Sequence, residues 1–118
     1  MPYLLLIHEP VGQRAERSEA EGRAAYQSML DFTHTLQQRG VLRASSALTG
    51  LAQAARVQVR NGVARVVDGP FAEAKEMVGG FFLVDVATRD EAVAIARSCP
   101  AAAFATVEVR ETGPCYLG

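Results

Sequence analysis

Asp68-Gly69-Pro70-Phe71-Ala72-Glu73-Ala74-Lys75-Glu76 joins two segments of opposite character, and the reading of that junction sets the fold. Upstream, Arg56-Val57-Gln58-Val59-Arg60 and Val63-Ala64-Arg65-Val66-Val67 flank Asn61-Gly62. Two β-type runs around Asn-Gly predict a hairpin, because the favoured two-residue turn needs φ > 0 at both central positions. The alternating valines and arginines give it one buried and one wet face. A strand that ends in Asp-Gly-Pro must then turn sharply: glycine tolerates φ > 0, proline fixes its own φ, and the residue before proline is pushed out of the α region. Downstream, Gly79-Gly80 lets a backbone or a ligand come close to the start of Phe81-Phe82-Leu83-Val84-Asp85-Val86. That run is apolar on both parities apart from Asp85, as in a central strand covered on both faces.

Working outward, Tyr3-Leu4-Leu5-Leu6-Ile7 repeats this pattern, and His8-Glu9-Pro10-Val11-Gly12-Gln13-Arg14 reads as a loop leaving its C-terminal end. Ser18-Glu19-Ala20-Glu21 fits a capping box that opens a helix. Its inward stripe is Ala25, Met29, Phe32 and Leu36, widened by Tyr26 and Leu30; Gln27, Asp31, His34 and Gln38 take the solvated side, and Gly40 supplies the stop. Val41 to Leu48 reads as a second strand. Thr88-Arg89-Asp90-Glu91 fits a second capping box, followed by an inward face of Ala92, Val93, Ile95, Ala96 and Cys99 that Pro100 ends. Thr106 to Arg110 is a strand with one solvated face. The order β-α-β, hairpin, β-α-β predicts a single α+β domain over residues 1–118 with a ferredoxin-like pattern. Two helices cover only one face of such a sheet. The two central strands are apolar on both, so the missing layer is expected from a second subunit, a homodimer forming a dimeric α/β barrel.

At 118 residues the chain is long enough to bury a core without staples. A net charge of −1, from 12 basic and 13 acidic residues, provides no field to draw nucleic acid or an anionic membrane surface. The N-terminal apolar run has no basic residues ahead of it and is too short for a span, so a cytoplasmic protein is expected. Cys99 and Cys115 lack the spacing of a disulfide framework or a metal site and read as thiols.

The run Asp68-Gly69-Pro70-Phe71-Ala72-Glu73, followed by Lys75-Glu76 and Gly79-Gly80, resembles the DGPF branch of the YCII-related proteins, and the resemblance extends from Tyr3–Ile7 to Val107–Arg110. It implies a small ferredoxin-like domain paired into a dimeric α/β barrel, with an unassigned biochemical role. The broader grouping implies a His/Asp catalytic pair. This chain departs from it, with Tyr26 at what looks like the histidine position and Cys99-Pro100 where Asp-Pro would stand.

Asp68 and His8 are the substitutes. Asp68 is either an acid or base at a rigid turn or a residue bonding the turn's own backbone. His8, at a strand end, is either a base or donor or a hydrogen-bonded loop histidine. Glu73 and Lys75 either grip a small polar ligand or are solvated. Phe71 anchors the loop or walls a pocket, and Tyr26 places a phenol in that pocket or at the core's rim. The expected ligand site is therefore His8, Tyr26, Asp68, Phe71, Glu73 and Lys75, with no metal and no cofactor. The functions that follow are a small-molecule binding protein with its pocket between the sheet and the Asp68-Gly69-Pro70-Phe71 loop, or a cofactor-independent enzyme using Asp68/His8 acid-base chemistry. The resemblance adds a third, a regulatory interaction module linked to extracytoplasmic-function sigma factors.

Overall fold

The computed structural model describes residues 2–118. Its elements run β1 (Pro2–Pro10), α1 (Glu19–Gln38), β2 (Leu42–Ala47), β3 (Ala55–Arg60), β4 (Val63–Asp68), β5 (Glu76–Asp85), α2 (Arg89–Ser98) and β6 (Thr106–Glu111), joined in places by short 3-10 turns. The main sheet has the order β2-β5-β1-β6 with every neighbouring pair antiparallel. This is the ferredoxin-like α+β arrangement, with the β3–β4 hairpin inserted before the strand that crosses back to the centre. No helix among the described residues is long and apolar enough to cross a membrane.

Local chemistry sets the helix ends. The Ser18 hydroxyl accepts from the Glu21 N–H at 3.1 Å, and the Glu21 carboxylate accepts from the Ser18 N–H at 2.8 Å, a complete capping box. At the other end of α1 the Gly40 N–H donates to the Gln37 carbonyl at 2.9 Å and the Val41 N–H to the Leu36 carbonyl at 3.3 Å, a Schellman closure. The cap of α2 corrects the expectation of a second full box. The Thr88 hydroxyl accepts from the Glu91 N–H at 3.2 Å, but the Glu91 carboxylate bonds that same hydroxyl at 3.3 Å instead of returning to the Thr88 backbone. Ser18→Ala is accordingly expected to lower stability by about 1 kcal/mol, read as an earlier urea midpoint at unchanged slope.

Alternation along β1 sends Tyr3, Leu5, Ile7 and Glu9 toward the helices, where Leu5, Leu36, Val84 and Ile95 form the most deeply buried centre. Phe32 of α1 meets Phe82 of β5 edge-to-face at 5.2 Å between ring centroids. On the opposite face Leu4 pairs with Leu83 and Leu6 with Phe81, all partly exposed and with no helix over them. The apolar stripe of α1 is used unevenly. Phe32 and Leu36 are buried, whereas Tyr26 and Leu30 remain 56% and 42% exposed, because the N-terminal half of the helix roofs a cavity instead of packing on the sheet.

The hairpin turns at Asn61 and Gly62 with φ of 52° and 75°, as the Asn-Gly signal predicts. Its expected buried face is not buried within the chain. β3 and β4 pair only with each other, and every residue of both strands is exposed, because no other element of the chain lies beneath them. The radius of gyration of 16.2 Å exceeds the roughly 13.5 Å of a compact chain of this length, as a projecting arm requires. The Asp68–Glu76 segment fastens the arm's root. The Gly69 N–H donates to the Ala54 carbonyl at 2.8 Å, and a side chain on Gly69 would collide with the Leu51 carbonyl oxygen. Phe71 is buried with the Arg56 guanidinium 3.7 Å above its ring. The Lys75 carbonyl accepts from the Val11 N–H at 2.9 Å, tying the segment to the end of β1.

Candidate ligand-binding site

Beneath the N-terminal half of α1 lies an open cavity of about 690 Å³. Ile7, Phe82, Gly79 and Gly80 form its floor, Ala25, Tyr26, Met29, Leu30 and Thr33 its roof, and residues 45–49 after the midpoint of β2 one wall. Phe104 closes part of the remaining side, with the Arg17 guanidinium 4.6 Å from its ring centroid. Gln13 holds that corner by donating to the Phe104 carbonyl at 2.8 Å and accepting from Arg17 at 3.3 Å. The walls are mostly apolar, with Tyr26, Thr33, Ser45, Ser46 and Thr49 supplying hydroxyls, the mixture by which small-molecule sites combine burial with orientation.

One end of the cavity is polar and built. Glu9, only 6% exposed, continues the inward parity of β1 and is the one buried charged residue among those described. Arg14 meets it with two parallel bonds, Nε to Oε2 at 3.0 Å and Nη2 to Oε1 at 2.7 Å, the fork geometry in which a guanidinium best matches a carboxylate. Nη1 also donates to the Leu48 carbonyl at 2.9 Å, and Nη2 leans on the Gly79 carbonyl at 3.4 Å. One ion pair thus ties β1, the chain after β2, and β5 together. Gly79 makes the room, since a Cβ there would fall on the Glu9 carboxylate. The expected close approach of a backbone occurs at Gly80, against Ser46, whereas at Gly79 it is the Glu9 side chain that comes close.

Of the residues put forward from sequence, Tyr26 lines this cavity; His8, Asp68, Phe71, Glu73 and Lys75 do not. His8 has the opposite parity to Glu9 and lies on the open sheet face, its Nε2 2.6 Å from Oε1 of Glu108. Asp68 is exposed at the end of β4, paired in the ladder with Ala55. His8 and Asp68 share neither a hydrogen bond nor the cavity, so their acid-base pairing has no geometric support. Phe71 is an anchor beneath Arg56, Glu73 lies 3.7 Å from Arg56 in solvent, and the exposed Lys75 contributes its backbone carbonyl. Cys99 is buried, its Sγ 4.0 Å from the Met29 sulfur, and burial pushes its thiol above the ordinary range. It packs as an apolar group, in surroundings that disfavour the thiolate.

Glu9 and Arg14 are what the sequence reading missed. Their signal is parity: Tyr3, Leu5, Ile7 and Glu9 alternate without a break, which puts a carboxylate on the helix-facing side of the sheet and demands a cation within reach.

An α+β ferredoxin-like domain, extended by a hairpin and carrying a cavity between its first helix and its sheet, is the class of protein these observations define. The chain belongs to the YCII-related domain family, matched over residues 1–114. It is 31% identical over 97 residues to an uncharacterized protein of Rhizobium meliloti (strain 1021), covering 82% of this chain and 78% of that protein. Among solved structures it is similar to 5-chloro-2-hydroxyhydroquinone dehydrochlorinase from Burkholderia phenoliruptrix AC1100 in complex with 2,5-dihydroxybenzoquinone. That similarity has a TM-score of 0.57 at 17% identity, covers 99% of this chain and 98% of the other, and speaks to the fold.

Proposed function

We propose that the protein is a cytoplasmic homodimer of the DGPF type that binds a small, largely apolar molecule in the cavity between α1 and the sheet. The observation that carries this reading is the combination of an apolar chamber of about 690 Å³ with a charged, geometrically fixed end at Glu9–Arg14. Protein sites for small ligands span roughly 300–1,000 Å³ and use few polar groups against apolar walls. Arg14 spends four of the five N–H groups of a guanidinium on protein acceptors. The remaining Nη1 hydrogen suits an acceptor oxygen on the ligand, and Tyr26 and Phe104 offer ring faces and edges. A compact oxygenated aromatic or quinone-like compound meets these requirements, and the ligand held by the structurally similar dehydrochlorinase is of that kind.

The dimer reading rests on Leu4, Leu6, Phe81 and Leu83, which face away from both helices and lack cover. A sheet-to-sheet contact about a two-fold axis supplies it and closes a barrel-like core between subunits.

The test is a thermal-shift screen of small phenols, benzoquinones and aromatic acids against the wild type and Ala25→Trp, which fills the roof. A ligand present at 100 times its Kd should stabilise the wild type by about 2.7 kcal/mol and leave the filled variant unmoved. Equal shifts in both proteins would refute binding in this cavity, as would a screen in which no compound moves the wild type.

A further inference from the structure

Two guanidiniums line the cavity, and they are differently employed. Arg14 is neutralised, its fork locked on the buried Glu9 carboxylate. Arg17 is not: among the described residues it makes no ion pair. The carboxylates near it in sequence lie elsewhere, Glu16 exposed in solvent, Glu19 on Arg23 at 2.7 Å and Glu21 on the Ser18 N–H at 2.8 Å. The Ser18 cap holds the Glu21 carboxyl below its ordinary range, with the charge of Arg17 the least of the contributors. With Glu9 cancelling Arg14, the cavity lining carries a surplus of one positive charge, on Arg17. That charge is held in place from two sides. Its guanidinium stands over the Phe104 ring at 4.6 Å, and Nη2 donates at 3.3 Å to Gln13, which in turn donates to the Phe104 carbonyl at 2.8 Å. Stacking occupies the flat face of a guanidinium and leaves its N–H groups free along the edge. Of five such donors, Arg17 spends one on the protein.

We propose that the cavity selects a small aromatic carboxylate, and that Arg17 makes the selection by receiving the carboxylate on its free N–H edge. The proposal rests on the cavity reading above and deepens it by fixing the charge of the ligand. A ligand filling the chamber takes water away from Arg17, and a cation desolvated without a counter-ion is costly. An anionic ligand supplies the counter-ion as it binds; a neutral one of the same shape returns nothing for the lost water. Geometry favours a carboxylate over a lone oxygen, because two coplanar oxygens match the parallel N–H groups of a guanidinium fork. Both Glu9 oxygens are already bound by Arg14, so the buried pair offers an incoming anion no second fork, and the carboxylate belongs with Arg17. The aromatic body follows from what surrounds that charge. Phe104 lies against Arg17, Tyr26 and Leu30 form the roof and Phe82 the floor, all surfaces suited to a flat apolar ring.

The experiment measures Kd by NMR titration for two pairs of matched shape, benzoate with benzamide and salicylate with salicylamide, on the wild type, Arg17→Met and Ala25→Trp. Methionine keeps an apolar stem against Phe104 and removes the charged fork. The wild type is expected to bind each acid at least about 10-fold more tightly than its amide, the scale of a hydrogen bond to a charged group. Arg17→Met should abolish that ratio and leave the amide Kd unchanged. A variant that weakens acid and amide alike shows a structural role for Arg17 and overturns the proposal. Equal affinities in the wild type, or a preference that survives Arg17→Met, overturn it as well, while the cavity reading stands as long as Ala25→Trp blocks binding. Binding undiminished in Ala25→Trp overturns both. A wild type that binds none of the four probes overturns the carboxylate and leaves the cavity to neutral ligands. Should Arg17→Met fail to fold, the wild type decides: its Arg17 Nε–H resonance is expected to move on saturation with benzoate and not with benzamide, and an equal response to the two overturns the proposal.

Discussion

Leu83→Glu is expected to abolish dimerisation. The wild type should scatter light with twice the 12.6 kDa chain mass, and the variant should give aggregated or monomeric material at the same concentration. Leu83 pairs with Leu4 on the sheet face that no helix covers. Burying a large aliphatic side chain contributes about 1.5–3 kcal/mol, and the substitution replaces that gain with an unpaired carboxylate whose desolvation costs several kcal/mol more. A two-fold contact contains the substitution twice, so the dimer Kd should rise by about 1,000-fold or more. The neighbouring position separates association from folding. Val84 points the other way, is 0% exposed beneath the helices, and Val84→Glu should yield no folded protein at all. A Leu83→Glu protein with wild-type association would remove the basis for a sheet-to-sheet dimer.

Arg14→Ala should be the most damaging substitution around the cavity. It leaves the Glu9 carboxylate buried with no cation, while the pair it breaks also closes the chain after β2 onto β5. Removing one partner of a fully buried pair costs about 3–5 kcal/mol; with the Arg14 side chain 40% exposed, we expect about 2–3 kcal/mol, read from urea midpoints. Adding Glu9→Gln to Arg14→Ala should recover part of the loss, because a neutral amide is far cheaper to desolvate than a carboxylate. Gly79→Ala should damage the same site from the other side, since its methyl must displace the Glu9 carboxylate. A loss below about 0.5 kcal/mol for Arg14→Ala, the range of ordinary surface changes, would mean that the pair does not organise the cavity.

Most of the fold is legible in the sequence because it depends on short-range rules. Ser18 and Glu21 cap where the spacing says they must, Asn61-Gly62 turns the hairpin, and the double parity of Tyr3–Ile7 and Phe81–Val86 announces a sheet with an uncovered side. The site is less legible because a cavity is made by what fails to touch. Tyr26 and Leu30 carry the same helical signature as Phe32 and Leu36, yet only the second pair reaches the core. The Asp68–Glu76 run draws attention as candidate chemistry, and the structure gives it the mechanical work of fixing an arm. Glu9 stayed hidden next to His8: one step along a strand reverses the face, and the residue with the familiar catalytic chemistry was on the wrong one.

The uneven use of α1 bears on how such a protein changes over generations. Phe32 and Leu36 hold the helix to the sheet, and the cap at Ser18 holds its start, while Ala25, Tyr26 and Leu30 line the chamber and Met29 both lines it and packs on the core at Cys99. Substitutions at Ala25, Tyr26 and Leu30 reshape the chamber while sparing the contacts on which folding depends, so its lining can vary without first acquiring compensating stability. A helix divided in this way lets one scaffold keep its fold while the lining of its chamber changes along a single turn and a half.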